Sequence, residues 1–193
     1  MSYYDDSKSV DEYIEMCQGY DGSNIYEMVK NHLDNGQSVL ELGSGPGFDI
    51  PFLANHFHVT GSDLSEEFLR RCRKNHPDIE FLQLDAKDVN VTSKYDCIYS
   101  NKVLHHLTVD ELSQSLDAQA NALTQNGIIA HSFWIGEDSQ EMSGLLFTFY
   151  RERHLLEIIS KRFTVLSTLS YKEFEQSDSL FVIAEIKEKE YQA

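Results

Sequence analysis

Along this chain, short apolar runs of strand type alternate with segments whose apolar residues fall on one side of a helix. Val39–Leu42, His58–Asp63, Ile79–Leu84, Tyr95–Ser100 and Ile128–Trp134 read as strands. Between them, Phe48, Ile50, Phe52 and Leu53, then Phe68, Leu69 and Cys72, then Leu112, Leu116 and Leu123 supply the buried faces of helices. Strand and helix in turn predict βαβ units and a parallel sheet covered on both faces. Helix boundaries are written into the sequence as well. Ser65 precedes Glu66-Glu67 as an N-cap, Pro77 stops that helix, Thr108 and Glu111 form a capping box, and Asn126-Gly127 is a stop. After Trp134 the rhythm changes. Ile135–Gln140 reads as a polar loop, and Met142 with Leu145–Tyr150 leads into a helix carrying Leu155, Leu156, Ile158 and Ile159. Phe163–Leu169 and Leu180–Ile186 close the chain as two β segments, joined by a stretch too long for a tight hairpin. Ahead of the first strand, residues 1–36 are polar and rich in tyrosine (Tyr3, Tyr4, Tyr13, Tyr20 and Tyr26). Ile25, Val29 and Leu33 at helical spacing predict one or two helices there.

Size and composition narrow this picture. The 193 residues suit one domain, with 1–36 as a helical cap and 37–193 as the core. Sixteen Lys+Arg against 32 Asp+Glu leave a net charge of −16. Such a surface repels phosphate backbones, which argues against nucleic acid as a partner. Cys17, Cys72 and Cys97 are far apart and form no C-x-x-C pair, so neither a disulfide framework nor a cysteine zinc site is expected. With no signal-peptide pattern and no apolar run of membrane-spanning length, a cytoplasmic protein is expected.

The chemistry concentrates where the first strand ends, at Val39-Leu40-Glu41-Leu42-Gly43-Ser44-Gly45-Pro46-Gly47. Alternate glycines let a ligand lie on the backbone, and the helix start beyond them offers free N–H groups to it. A dinucleotide fingerprint wants glycine or alanine at the sixth position, which here is Phe48. Asp63 closes the second strand 20 positions after Gly43, the offset at which a carboxylate meets ribose hydroxyls. These features resemble the first motifs of the class I (Rossmann-like) S-adenosylmethionine-dependent methyltransferases. Asp85 after the third strand and Asn101-Lys102-Val103-Leu104-His105-His106-Leu107 after the fourth extend the resemblance, which runs from about Gln37 onward.

The resemblance implies a three-layer, doubly wound, seven-stranded and mostly parallel sheet with an antiparallel last strand, preceded by N-terminal helices. It implies S-adenosylmethionine as cofactor, held by Glu41, Gly43, Ser44, Gly45 and Gly47 at the glycine turn. Asp63 would take the ribose, Leu64 would flank the adenine, Asp85 and Ala86 would meet the adenine edge, and Asn101 would face the methionine end. The expected reaction is in-line methyl transfer to an O, N or C nucleophile, driven mainly by proximity and orientation. The run Asn/Asp-Pro-Pro-Tyr/Phe, typical of methylation at amino groups of bases, is missing after the fourth strand. Together with the charge of −16, that points to a small-molecule acceptor, with a protein acceptor still open. A protonated acceptor needs a base, for which His106 is the first candidate, with His131 and the N-terminal tyrosines behind it. Phe133, Trp134, Phe147 and Tyr150 fall where related enzymes build their acceptor pocket, while each taken singly fits the core better. His105 and His106, adjacent and without ligand-type partners at metal spacing, do not suggest a metal. Two other readings stay open: a cofactor- or partner-binding domain without turnover, and an NAD-dependent oxidoreductase.

Overall fold

Alternating burial along the strands decides how the layers form. The computed structural model describes residue 4, residues 6–142 and residues 144–187; Tyr3 lies outside the described residues. Two N-terminal helices, α1 (Ser7–Met16) and α2 (Ser23–His32), precede strand β1 (Ser38–Leu42). The βαβ alternation follows through α3 (Ile50–His56), β2 (His58–Asp63), α4 (Glu66–Asn75), β3 (Glu80–Gln83), β4 (Tyr95–Asn101), α5 (Val109–Ala122) and β5 (Leu123–Trp134). A small hairpin of β6 (Ser139–Met142) and β7 (Leu145–Thr148) comes next, then α6 (Glu152–Ile159), β8 (Phe163–Tyr171) and β9 (Ser179–Ile186).

Among the described residues the main sheet has seven strands in the order β3-β2-β1-β4-β5-β9-β8. The first five run parallel, while β9 pairs antiparallel with both β5 and β8. The last strand is therefore inserted beside β5, as expected. Successive side chains of a strand point to opposite faces. Leu40, Leu42, Ile98, Ile129 and Val182 pack on one face with Leu112 and Leu116 of α5 and Leu155, Ile158 and Ile159 of α6. Val39, Cys97, Tyr99, Ala130 and Phe181 pack on the other with Ile25 and Val29 of α2 and Leu53 of α3. Burying each such side chain contributes about 1.5–3 kcal/mol, and two cores of this kind make three layers. The described helices include none long and apolar enough to cross a membrane.

Both predicted caps form. The Ser65 hydroxyl accepts from the Phe68 N–H at the start of α4, and Thr108 with Glu111 makes the reciprocal capping box of α5. Other expectations fail for local reasons. Asn126-Gly127 does not end α5, because Leu123 is already extended and begins β5. The pairing passes from Tyr95↔Leu123 to Cys97↔Ile128, so Asn126, at φ 64°, sits in an irregularity of the strand. The predicted loop and helical lead-in at 139–148 are instead the β6–β7 hairpin, reversed at Gly144 with φ 74°. A short apolar run has no period of its own to separate helix from strand, and here contact with the turn after β4 decides. Phe48, expected in the core, is 43% exposed.

Candidate functional site

The carboxyl ends of the parallel strands gather the predicted residues, beginning with the glycine turn after β1. Gly43 has φ 66°, and a Cβ there would stand 2.6 Å from the Val103 side chain, so glycine is required on both counts. Gly45 has φ 50° and faces open space, its nearest neighbour being the Tyr13 ring at 3.9 Å from where a Cβ would lie. Ser44 locks the turn to β2: its N–H donates to the Ser62 carbonyl at 2.7 Å, and its hydroxyl accepts from the Ser62 N–H at 3.1 Å. Asp63 joins this turn to the next helix. One carboxylate oxygen accepts from the Gly45 N–H at 2.9 Å and the other from the Ser65 N–H at 2.8 Å. Leu64 beside it is 58% exposed and free to face a ligand.

Behind the turn lies a buried acidic group. Glu41 is 2% exposed, and its Oε2 has no hydrogen-bond partner. Burial first and then the neighbouring Asp49 charge push its carboxyl up to about 8; the Ser44 hydroxyl opposes this, and the Asp63 charge adds to it. Asp49, two residues after the last glycine of the turn, is a site residue. It makes no cap hydrogen bond at α3. Its carboxylate instead accepts from the hydroxyls of Tyr26 and Tyr99 and from the Asn101 amide at 3.1 Å. Burial raises the carboxyl of Asp49 despite these donors, and burial likewise raises Asp63. Among the described residues no Lys, Arg or His forms an ion pair with these three acids.

The N-terminal segment supplies several tyrosines to the site. Tyr13 stands over Gly45, Tyr20 accepts from the Asn101 amide at 2.7 Å, and Tyr26 bonds Asp49. Tyr4 packs edge-on to Tyr13 and against Phe68. Arg71 of α4 holds α1 in place by donating to the Asp11 carboxylate and the Ser7 carbonyl. It thus docks α1 onto α4. Aromatic rings scattered over residues 4–26 converge only because two helices fold back across the sheet edge.

On the adenine side of the expected site, Asp85 and Ala86 follow β3. The Asp85 Oδ1 accepts from the Lys87 N–H at 2.9 Å, an Asx turn made through this one oxygen. On the opposite side, Asn101 ends β4 and is held by three groups: Tyr20, Asp49 and the Ser132 hydroxyl, which donates to its side-chain oxygen at 2.7 Å. Next to it, the Lys102 ammonium donates to the Phe133 carbonyl at 3.1 Å and Ser179 at 2.7 Å, pairs with Glu173 at 3.2 Å and lies 3.5 Å from the Trp134 ring centre. Burial lowers this lysine to about 8.

The two histidines after β4 separate clearly. His106 Nδ1 lies 2.7 Å from the Leu146 carbonyl of β7. A carbonyl only accepts, so Nδ1 carries the hydrogen and Nε2 carries the lone pair. Burial lowers its pKa, so the ring is neutral at pH 7. His105 is 3% exposed, stacked on Phe147, and neither ring nitrogen has a partner. His131 cannot serve as the base: it is fully buried and both nitrogens are hydrogen-bonded inside the core. Phe133 and Tyr150 are core residues, whereas Trp134 and Phe147 remain half-buried beside Lys102 and the histidines. Two shallow cavities of about 590 and 490 Å³ lie along α6 and share no lining residue with this group.

Known proteins resemble this chain in sequence and in fold. Residues 39–127 match the family model of a methyltransferase domain. The chain is 26% identical over 117 residues to a dTDP-3-amino-3,4,6-trideoxy-alpha-D-glucopyranose N,N-dimethyltransferase of Streptomyces venezuelae, a match covering 59% of this chain and 49% of that protein. It is 33% identical over 78 residues to a trans-aconitate 2-methyltransferase of Azoarcus sp., covering 39% of this chain and 31% of that protein. The matches thus span less than half the length of these relatives. In structure, the chain superposes on a Burkholderia thailandensis 1,6-didemethyltoxoflavin-N1-methyltransferase with a TM-score of 0.80 at 17% identity, over 94% of this chain and 85% of that one. An S-adenosylmethionine-dependent methyltransferase from Clostridium acetobutylicum gives 0.76 at 12% identity, over 91% and 98%. Residues 39–127 thus match a methyltransferase domain, and the chain shares its fold with these solved methyltransferases.

Proposed function

We propose that this chain, carrying a methyltransferase domain on the class I fold, transfers a methyl group from S-adenosylmethionine to a small-molecule acceptor. The observation that carries the reading is the unpartnered Glu41 Oε2 at the back of the glycine turn, with Asp49 and Asp63 beside it. A buried carboxyl oxygen without a donor makes ionisation of its group costly, and a cationic ligand arriving there offsets that cost. S-adenosylmethionine bears an ammonium and a sulfonium, so the group fits. When bound, it supplies the activated methyl group and its own leaving group, displaced in line.

The rest is the work of the chain. Gly43 and Gly45 let the backbone approach the ligand, and the glycine-turn N–H groups and Asp63 hold the ribose end. Each Asp63 oxygen already accepts one N–H and has a lone pair left for a hydroxyl. Leu64 covers the adenine and Asp85 Oδ2 accepts from its amine. Tyr13, Tyr20 and Tyr26 exclude water above the turn, which strengthens every charge interaction beneath. His106, neutral and with its Nε2 lone pair fixed by the Leu146 carbonyl, takes the proton from an acceptor that carries one. The relatives whose names specify an amino sugar, trans-aconitate or a toxoflavin precursor support a small organic acceptor.

Calorimetric titration with S-adenosylmethionine and S-adenosylhomocysteine tests the cofactor. Micromolar binding of both, strongly weakened in Asp63→Ala, is expected. Binding of NADH with neither of these ligands bound would overturn the proposal. Formation of S-adenosylhomocysteine in the presence of pooled metabolites then tests turnover, and its persistent absence would favour a binding domain without catalysis.

A further inference from the structure

Four polar side chains sit in the apolar layer beneath the site, and each is fully buried: Ser100 on β4, His131 on β5, and Ser115 and Gln119 on α5. Burying such groups is unfavourable unless every one is bonded, and here they are, in a single line. Ser100 Oγ lies 2.8 Å from His131 Nδ1, His131 Nε2 lies 2.7 Å from Gln119 Oε1, Gln119 Nε2 lies 3.0 Å from Ser115 Oγ, and Ser115 Oγ lies 2.6 Å from the Ala86 carbonyl oxygen. The end of the line sets its direction. A carbonyl can only accept, so Ser115 donates to Ala86 and must itself accept from the Gln119 amide. That turns the Gln119 oxygen to His131, which therefore carries its hydrogen on Nε2 and accepts from Ser100 at Nδ1.

The Ala86 carbonyl belongs to the same peptide unit as the Lys87 N–H, and that N–H donates to Asp85 Oδ1 at 2.9 Å. One rigid plane is thus gripped on one edge by the buried line and on the other by the Asp85 carboxylate. We propose that Ser115, Gln119 and His131 are positioning residues that, through the Ala86–Lys87 peptide, aim Asp85 Oδ2 at the 6-amino group of adenine and so select adenine over 6-oxopurine cofactors. This rests on the cofactor reading above. Burial pushes His131 down to about 3, so the line keeps its direction across the neutral range. Gln114, which donates to Asp88, adds a second tie between α5 and the same loop.

The test compares binding of S-adenosylhomocysteine with S-inosylhomocysteine, whose purine presents an oxygen where adenine presents the amine. In the unmodified protein Asp85 repels that oxygen, and adenine is preferred. Ser115→Ala leaves a good helix former in α5. Ser115→Ala and Gln119→Met are each expected to reduce the adenine preference on the order of tenfold, the amount one mispositioned hydrogen bond is worth. A merely structural line would weaken both ligands alike, so an unchanged ratio in both variants overturns the proposal. Nitrogen chemical shifts of His131 give a readout without substitution: a hydrogen on Nδ1 instead of Nε2 also overturns it. If the unmodified protein binds neither ligand, the cofactor reading falls and this inference with it. A protein that binds S-adenosylhomocysteine with an unaltered variant ratio loses only the positioning line.

Discussion

Replacing Glu41 by Gln keeps the shape of the side chain and removes its ionisation, and the consequences can be worked through. In the ligand-free protein the Glu41 carboxyl is raised from the usual 4.5 to about 8, chiefly by burial and next by Asp49. Because the folded value lies above the unfolded one, the folded protein holds the extra proton between those limits. Stability is then greatest below about pH 4.5 for this group and falls as pH rises towards 8. At 1.36 kcal/mol per pH unit the interval is worth up to about 5 kcal/mol, shared with Asp49 to the extent that the two titrate together. Glu41→Gln should flatten this decline, so its melting temperature exceeds that of the unmodified protein at pH 8 and the difference shrinks at pH 5. Ligand binding shows the reverse face of the same charge. At pH 7 a group with a pKa of about 8 is about nine-tenths protonated, and an arriving ammonium stabilises the ionised form. Binding of S-adenosylhomocysteine should therefore release close to one proton at pH 7, and its affinity should rise nearly tenfold between pH 6 and pH 7. Calorimetry in buffers of different ionisation enthalpy measures that proton directly, and Glu41→Gln should bind more weakly and release far less. Equal proton release from the two proteins, or none from either, would refute the reasoning.

Two further outcomes follow from the geometry. Gly43→Ala combines a positive φ with a Cβ 2.6 Å from Val103, and should lower stability in urea by more than about 1 kcal/mol, with only part recovered in Gly43→Ala/Val103→Ala because the backbone strain remains. For an acceptor that must lose a proton, His106→Gln should lower kcat by about 10²–10⁴ and leave S-adenosylhomocysteine binding unchanged; the acid limb of the unmodified enzyme should lie below 6.5, activity being lost as pH falls and His106 protonates.

What the sequence by itself determined was whatever depends on neighbours along the chain. The period of apolar residues placed the parallel strands and most helices, Ser65 and Thr108 marked two helix starts, and the spacing from Gly43 to Asp63 marked the ligand edge. A strand, its turn and the following helix cap are set within a few residues, so their signals are local. What only the tertiary structure decided depends on residues far apart meeting. Asp49, at the start of α3, is bonded by Tyr26 of α2 and by Tyr99 and Asn101 of β4, residues distant from it in sequence. His106 gained a defined tautomer from Leu146 in a hairpin that periodicity had read as the approach to a helix. Arg71 reaches Asp11 only because α1 lies against α4. Ser100, Ser115, Gln119 and His131, unremarkable apart, became one line when β4, β5 and α5 packed together. Hydrophobic spacing records how deeply a residue is buried, whereas hydrogen bonds record which polar groups it is buried with, and that pairing is settled only when the chain closes on itself.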